Sequence, residues 1–146
     1  MTITVDPAPS GDLVRTVVVV TGESDLLDVR SALRTAAEQV RLRLTATTKL
    51  VTAGSELARN ILRYATGGQG TVTIEVSTTG AGRGVRAVFA DQRPGIADLE
   101  EVMRDGFSSG GSLGIGLPGS RRLVDEFTID SAPGRGTTVV ISQWDR

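Results

Sequence analysis

Apolar and polar positions along the chain follow two different spacings, which predicts a protein built from both strands and helices. Alternating or β-branched apolar stretches are typical of strands, and apolar residues three and four positions apart are typical of helices. The predicted strands cover residues 16–20, 71–76, 85–90, 128–131 and 137–142. The predicted helices cover about 24–40, 47–65, 97–105 and 118–127.

Two long early helices and mostly hairpin-linked strands predict an α+β fold. We expect a two-layer α/β sandwich, with the helices on one face of a mixed, mostly antiparallel sheet. Residues 1–13 are rich in small residues and proline and are expected to be a flexible lead-in. Residues 14–146 show no internal repeat and no composition break, so we expect them to form a single domain.

Composition narrows the chemistry. The chain has no Cys and no His, which excludes disulfides, thiol chemistry and histidine acid–base catalysis. A formal net charge of −1, with basic residues spread along the chain, argues against nucleic acid as a partner. No apolar segment approaches the roughly 20 residues of a membrane span, and residues 1–10 do not resemble a signal peptide because they contain Asp6, two prolines and no apolar run. We therefore expect a cytoplasmic protein with no membrane partner.

Three polar residues share one stripe of the second predicted helix. Asn60 follows Glu56 by four positions and Arg63 follows it by seven. A carboxylate can orient or deprotonate a hydroxyl, an amide oxygen can bind Mg²⁺, and a guanidinium can bind phosphate. The alternative is a solvated polar face held by a Glu56–Arg59 pair, since such spacings are common.

Asp91 comes directly after a predicted strand and before the turn Pro94-Gly95. A carboxylate at this position can accept a hydrogen bond from an exocyclic amino group, which would select adenine. The turn lets backbone approach a flat ligand. The alternative is an ordinary surface turn, because Asp, Pro and Gly form such turns in many proteins.

A glycine-rich loop, Gly114-x-Gly116-x-x-Gly119, precedes the last predicted helix. It matches the dinucleotide fingerprint literally, but it lacks the preceding strand that the fingerprint requires, and no Lys-Ser or Lys-Thr follows as in a Walker A loop. Backbone amides of the glycines and the helix start at Leu117 can still bind phosphates. The Gly/Ser run at 108–112 could act as a lid.

The order of these segments resembles the GHKL ATPase superfamily with its Bergerat fold. The shared features are Glu-x-x-x-Asn, Asp…Pro-Gly-Ile, Gly-x-Gly-Leu and Gly136-Thr-Thr. Within that superfamily, Gly116-Leu-Pro-Gly and Asp125-Glu-Phe resemble the RsbT-type serine/threonine kinases, which are related to the anti-sigma factor kinases of bacterial partner-switching pathways. The resemblance covers about residues 16–144, nearly the whole chain.

The resemblance implies an ATP and Mg²⁺ site with a role for each matching residue. Glu56 would be the catalytic base, Asn60 the Mg²⁺ ligand and Arg63 a phosphate contact. The adenine end would be formed by Asp91, Gly95, Ile96 and either Thr137 or Thr138. The phosphates would be held by Gly114, Gly116 and Leu117.

The resemblance also implies a protein substrate. It would be a serine or threonine on a STAS-domain protein of the anti-anti-sigma type, whose phosphorylation frees another protein in a stress or sigma-factor pathway. A phosphatase or sigma factor as a further partner, and a homodimer, are compatible with it.

Arg93 departs from the family, which usually has glycine at this position. It motivates a rival hypothesis, an anti-sigma factor or adaptor that sequesters its partner with weak or no nucleotide turnover. A histidine-kinase catalytic domain is a third reading, weakened by the absence of His and of a dimerisation helix pair.

Overall fold

The computed structural model describes residues 3–7, 13–64, 69–77, 83–91, 116–131 and 136–144. Within these ranges the chain forms strands and helices in an order close to that predicted. The strands are β1 (Ile3–Pro7), β2 (Leu13–Val20), β3 (Gly70–Ser77), β4 (Gly84–Asp91), β5 (Glu126–Ser131) and β6 (Thr137–Trp144). The helices are α1 (Ser24–Gln39), α2 (Leu44–Tyr64) and α3 (Gly116–Leu123).

One six-stranded sheet joins all of these strands in the order β1-β2-β3-β4-β6-β5. Every pairing among them is antiparallel. Helices α1 and α2 pack against each other and against the sheet, and α3 packs on α2. The α+β, two-layer architecture predicted from the apolar spacing is therefore confirmed.

The hydrophobic core lies between the helices and one face of the sheet. Successive strand residues point to opposite faces, and the helix-facing positions are the apolar ones. These are Val18, Val20, Val72, Ile74, Val76, Val85, Ala87, Phe89, Val139 and Ile141, all buried. They meet an apolar face of α1 and α2 that includes Val29, Leu33, Leu50, Leu57 and Ile61.

The expectation of a loose lead-in differs from the structure at residues 3–7. These residues form β1, which pairs antiparallel with β2 in the register Ile3↔Val18 to Pro7↔Val14. A strand this short at a sheet edge has little periodicity of its own, and Pro7 is tolerated because an edge strand need not donate every backbone N–H.

Helix α1 ends in a Schellman motif built on a residue other than glycine. The Leu42 backbone N–H donates to the Ala37 carbonyl at 3.0 Å, and the Arg41 N–H donates to the Glu38 carbonyl at 3.1 Å. Arg41 has a φ of 56°, in the left-handed region. The turn into α2 is therefore made at a conformational cost to an L-residue.

Helix α1 begins with the side chain of Asp25 turned back on the preceding strand end. Its Oδ2 accepts the backbone N–H of Thr21 at 2.8 Å and that of Gly22 at 3.1 Å. These hydrogen bonds, of which the one from Thr21 has the largest effect, lower the pKa of Asp25 below its ordinary 3.8. Burial acts in the opposite direction but is outweighed. The charged carboxylate thus fixes the β2–α1 connection.

The sheet face away from the helices carries a row of charges across three strands. Arg15, Glu75 and Arg86 occupy one rung of β2, β3 and β4. Glu75 accepts from the Arg15 and Arg86 guanidinium groups, at 2.8 Å in each case. Burial raises the pKa of Glu75, but the hydrogen bonds and charges of the two arginines outweigh it, so the pKa lies below the ordinary 4.5.

The last predicted helix is shorter than expected. It starts where the sequence places it, with Pro118 in its first turn, but α3 ends at Leu123 rather than near residue 127. Glu126 and Phe127 belong to β5 because they pair with Ser142 and Ile141 of β6. No helix in the described part of the chain is long and apolar enough to cross a membrane.

Candidate active site

Helix α2 carries the first two candidate residues on neighbouring turns. Glu56 is 9 % exposed and Asn60 is 8 % exposed, so both polar side chains are largely withdrawn from solvent. On the helix they lie beside a stripe that includes the exposed Thr52 and Arg63. The polar pair therefore lies against the core beside the exposed stripe of α2, and not on a solvated polar face.

At the end of the sheet near α2, four residues from four neighbouring strands lie opposite one another and form a single rung. Gly70 of β3 pairs with Asp91 of β4, Asp91 pairs with Thr137 of β6, and Thr137 pairs with Ser131 of β5. Asp91 is 6 % exposed and Thr137 is 3 % exposed. Since directly opposite residues lie about 4.5–5.5 Å apart and point to the same face, a carboxylate and a hydroxyl meet here on the helix side.

Gly70 explains how α2 reaches this rung. A Cβ at Gly70 would lie 2.8 Å from Cγ2 of Ile61, 3.1 Å from Cβ of Asp91 and 2.5 Å from the Ala90 carbonyl oxygen. Only glycine fits so close an approach. Because Ile61 directly follows Asn60, this contact brings the amide-bearing turn of α2 to the sheet end that carries Asp91.

The two candidate threonines are separated by the sheet. Thr137 shares the face of Asp91, and its Oγ1 lies 2.7 Å from the Ser131 hydroxyl. Thr138 pairs with Ala90 and Asp130 and points to the opposite face, half-buried. The geometry therefore favours Thr137 over Thr138 as the residue beside Asp91.

Helix α3, which carries the candidate residues Gly116 and Leu117, packs against α2. Gly116 is its first residue, and Leu117 is half-buried and packs against the core. The backbone N–H groups of this first turn have no partner within the helix, and their dipoles favour an anion. Arg63, at the last turn of α2, is exposed.

Ser120 is an unforeseen polar residue on the same helix. It lies between Leu117 and Leu123 on the packed face of α3 and is fully buried, and its hydroxyl has no hydrogen-bond partner among the residues that the structure describes. A small side chain at this point allows α2 and α3 to approach closely.

Several predicted residues lie outside the described part of the chain. These are Gly95, Ile96, Gly114, Arg93 and the short helix expected at 97–105. Their roles remain the expectations stated from the sequence.

The donor set is compatible with a metal–nucleotide complex and with few protein ligands to the metal. Asn60 offers an amide oxygen, a hard ligand for Mg²⁺. No group of three or more acidic, His or Cys side chains that could hold a metal occurs within the described ranges. A cation beside Asn60 would thus take most of its ligands from phosphate oxygens and water, as Mg²⁺ commonly does.

Sequence reasoning missed Gly70 and Ser131 on the Asp91 rung and treated the Asp125-Glu126-Phe127 motif only as a resemblance. The structure gives that motif a structural role. Asp125 Oδ2 accepts the backbone N–H of Trp144 at 2.8 Å, and Glu126 Oε1 accepts its indole N–H at 2.7 Å. The signal for Gly70 was present in the glycine cluster at 67–70, which indicated only a helix stop.

Comparison with known proteins gives a consistent family assignment. The family of histidine kinase-, DNA gyrase B-, and HSP90-like ATPases matches residues 45–145. The serine/threonine-protein kinase RsbT of Bacillus subtilis (strain 168) is 41% identical over 124 residues, which cover 85% of this chain and 92% of that protein.

Solved structures support the fold. A crystal structure of the RsbU and RsbW domains of a Mycobacterium tuberculosis protein matches with a TM-score of 0.58 and 22% identity over 89% of this chain. The match spans 33% of that longer chain. The mycobacterial sensor histidine kinase MprB matches with a TM-score of 0.53 and 22% identity, over 80% of this chain and 93% of that one.

The family match includes α2, the Asp91 rung and α3, which are the elements that carry the candidate site. The relative at 41% identity spans nearly all of both chains. The chain therefore belongs to the family of histidine kinase-, DNA gyrase B-, and HSP90-like ATPases, and within it to the RsbT-type serine/threonine kinases.

Proposed function

We propose that this protein transfers the γ-phosphoryl group of ATP to a serine or threonine of a STAS-domain protein in a bacterial partner-switching pathway. The observation that carries the proposal is the meeting of two polar groups at one end of the molecule. The Glu56–Asn60 pair on α2 and the Asp91–Thr137 pair on the sheet are all buried there and are joined through the contact of Ile61 with Gly70.

Asp91 and Thr137 are proposed to form the adenine end of the pocket. The Asp91 carboxylate accepts a hydrogen bond from the exocyclic amino group of adenine, and the Thr137 hydroxyl lies beside it on the same rung. Guanine has a carbonyl oxygen at that position, which would face the carboxylate without a proton between them. The arrangement therefore favours ATP over GTP.

The first turn of α3 and Arg63 are proposed to bind the phosphates, and Asn60 to hold Mg²⁺ through its amide oxygen. Bound Mg²⁺ would neutralise phosphate charge during transfer. Arg63 is exposed at the end of α2, where its guanidinium can donate hydrogen bonds to a phosphate.

Glu56 is proposed to act as the general base. Its carboxylate accepts the proton of the attacking serine or threonine hydroxyl while the hydroxyl oxygen forms a bond to the γ-phosphorus and the bond to the ADP oxygen breaks. A positioned base of this kind contributes about 10²–10⁴-fold to the rate.

A phosphotransfer assay with the variant Glu56→Gln tests this role. We expect transfer from labelled ATP to a STAS-domain protein to fall by about 100-fold or more, because the amide cannot accept the proton. Nucleotide binding should be retained, since Glu56 is not proposed to hold ATP.

Glu38→Gln is the matched control, because Glu38 is an exposed carboxylate on α1. It should transfer phosphate at the unaltered rate. Transfer by Glu56→Gln at the rate of the Glu38→Gln control would overturn the assignment of the base. Wild-type protein that binds ATP but labels no serine or threonine of the STAS-domain protein would overturn the substrate class.

A further inference from the structure

The exposed surface of α2 carries two basic residues, Lys49 and Arg59, that the proposed ATP site does not use. The helix has three basic residues and one acidic residue, and the acidic one, Glu56, is buried. Lys49, Arg59 and Arg63 are all exposed. We call these three residues the basic stripe. No exposed acidic residue on α2 balances the positive charge of the stripe, although the chain as a whole has a formal net charge of −1.

The basic stripe is centred on the proposed catalytic base. Lys49 precedes Glu56 by seven positions and Arg63 follows it by seven. These two basic residues and Glu56 therefore lie nearly in line along the helix. At 1.5 Å per residue, each basic end lies about 10 Å from Glu56. A protein that brings a hydroxyl to Glu56 therefore comes within reach of both ends of the stripe.

Helix stability does not account for the two basic residues nearest the middle. Arg63 lies in the last turn of α2, where a cation interacts favourably with the helix dipole. Lys49 and Arg59 lie away from that turn, and Arg59 stands four residues before Arg63, a like-charge spacing that destabilises a helix. Among the residues that the structure describes, neither Lys49 nor Arg59 forms an ion pair.

Helix α1 provides a contrast in the same layer. Its exposed Arg30 and Arg34 share the helix with three acidic residues, Asp25, Asp28 and Glu38, so α1 has no excess of positive charge. The excess of positive charge thus lies on α2 and on α3, which has the exposed Arg121 and Arg122 and no acidic residue, and not on α1. Charge concentrated around a reaction site raises the rate of encounter with an oppositely charged partner and orients it.

We infer that the basic stripe docks an acidic surface of the protein substrate, next to the hydroxyl that is phosphorylated. This inference rests on the proposed function, since it names a property of the substrate of that site. The carboxylates of the substrate lie against Lys49 and Arg59, and its acceptor hydroxyl then faces Glu56.

Charge reversal tests the stripe with a defined probe, a fluorescein-labelled peptide of ten alternating glutamate and serine residues. The test variant is Lys49→Glu/Arg59→Glu, and the matched control is Arg30→Glu/Arg34→Glu on α1, with the same change in net charge. We expect the peptide to bind the wild type more weakly as salt rises, because the contact is exposed and screened. The test variant should lose at least about tenfold in affinity and the control less than twofold.

Three results would overturn the inference: no peptide binding by the wild type, equal loss in both variants, or stripe-dependent binding of a single-stranded oligonucleotide that exceeds peptide binding. The last would point to nucleic acid instead. If the charge-reversal variant does not fold, the neutral variant Lys49→Gln/Arg59→Gln replaces it. Its loss of peptide affinity should lie between those of the control and the charge-reversal variant.

Thermal stabilisation by ATP, measured on the same variants, separates this inference from the proposed function. Lys49 and Arg59 are not placed in the nucleotide site, so both charge-reversal variants should keep the ATP-induced rise in Tm. Absence of that rise in the wild type would count against the ATP site, whereas peptide results alone decide the docking surface.

Lys49 also offers a direct map of the contact because it is the only lysine in the chain. A carbodiimide joins an amine to a carboxylate that touches it. With a STAS-domain protein as the probe, we expect the cross-link at Lys49, joined to an aspartate or glutamate. Cross-linking of that protein only elsewhere on this chain would contradict the docking position.

Discussion

At the scale of single residues, spacing predicts neighbours but not burial. The four-residue step from Glu56 to Asn60 is enough to place both on one helix stripe, because helix geometry is local. Their low exposure arises only in the folded chain, where elements distant in sequence pack against α2. The same limit applies to Thr137 and Thr138, whose faces follow only from the β4–β6 register.

Two carboxylates predict how stability changes with pH. Asp25 and Glu75 both have a pKa below the ordinary value. A group with a lowered pKa in the folded state contributes stability above its unfolded pKa and loses it as pH falls through the folded pKa. We therefore expect the free energy of unfolding, measured with urea, to fall steadily below about pH 4.5.

Asp25→Asn isolates one of the two contributions. It should lower the free energy of unfolding at pH 7 by about 1–3 kcal/mol, because hydrogen bonds to a charged group are lost. The difference in stability between pH 7 and pH 3 should shrink with it. Glu38→Gln on the surface of α1 is the control, and an equal pH dependence in wild type and Asp25→Asn would contradict the assigned role.

At the scale of elements, strong periodicity predicts well and weak periodicity does not. The long helices and the central strands appear within a few residues of the predicted bounds, since their apolar faces are continuous. Strand β1 was not predictable because it is short, lies at the edge and contains Pro7. The end of α3 was predicted too late because β5 pairs with β6, a contact that no local pattern contains.

The end of α1 yields a prediction about stability. Arg41 has a positive φ, which costs an L-residue about 1–2 kcal/mol, whereas glycine adopts it freely. After the greater entropy of glycine in the unfolded state is subtracted, Arg41→Gly should stabilise the protein by about 0.5–1 kcal/mol. Thermal or urea unfolding measures the change.

Arg34→Gly should instead destabilise the protein. Arg34 lies inside α1, where glycine is unfavourable by about 1 kcal/mol. The two substitutions remove the same side chain type and should shift stability in opposite directions. A loss of stability in both would show that the φ of Arg41 is not the limiting feature of this turn.

At the scale of the whole molecule, the order of motifs along the chain predicts the family better than any one motif does. Each segment alone has an ordinary structural explanation, but their order matches one kind of ATP site. The sequence could not show that Gly70 lets Ile61 reach the Asp91 rung, because that contact joins α2 to two strands. It is this contact that turns separate motifs into one candidate site.

The measurement that tests the central claim most directly is a thermal melt with saturating ATP, with and without Mg²⁺. Ligand at about 100 times its Kd adds roughly 2.7 kcal/mol, which should raise Tm by about 5–10 °C for a chain of this size. Asn60→Ala should abolish the Mg²⁺-dependent part of the rise, while Glu38→Gln should keep it. An unchanged Tm in the wild type, or an equal Mg²⁺-dependent rise in Asn60→Ala, would contradict the account.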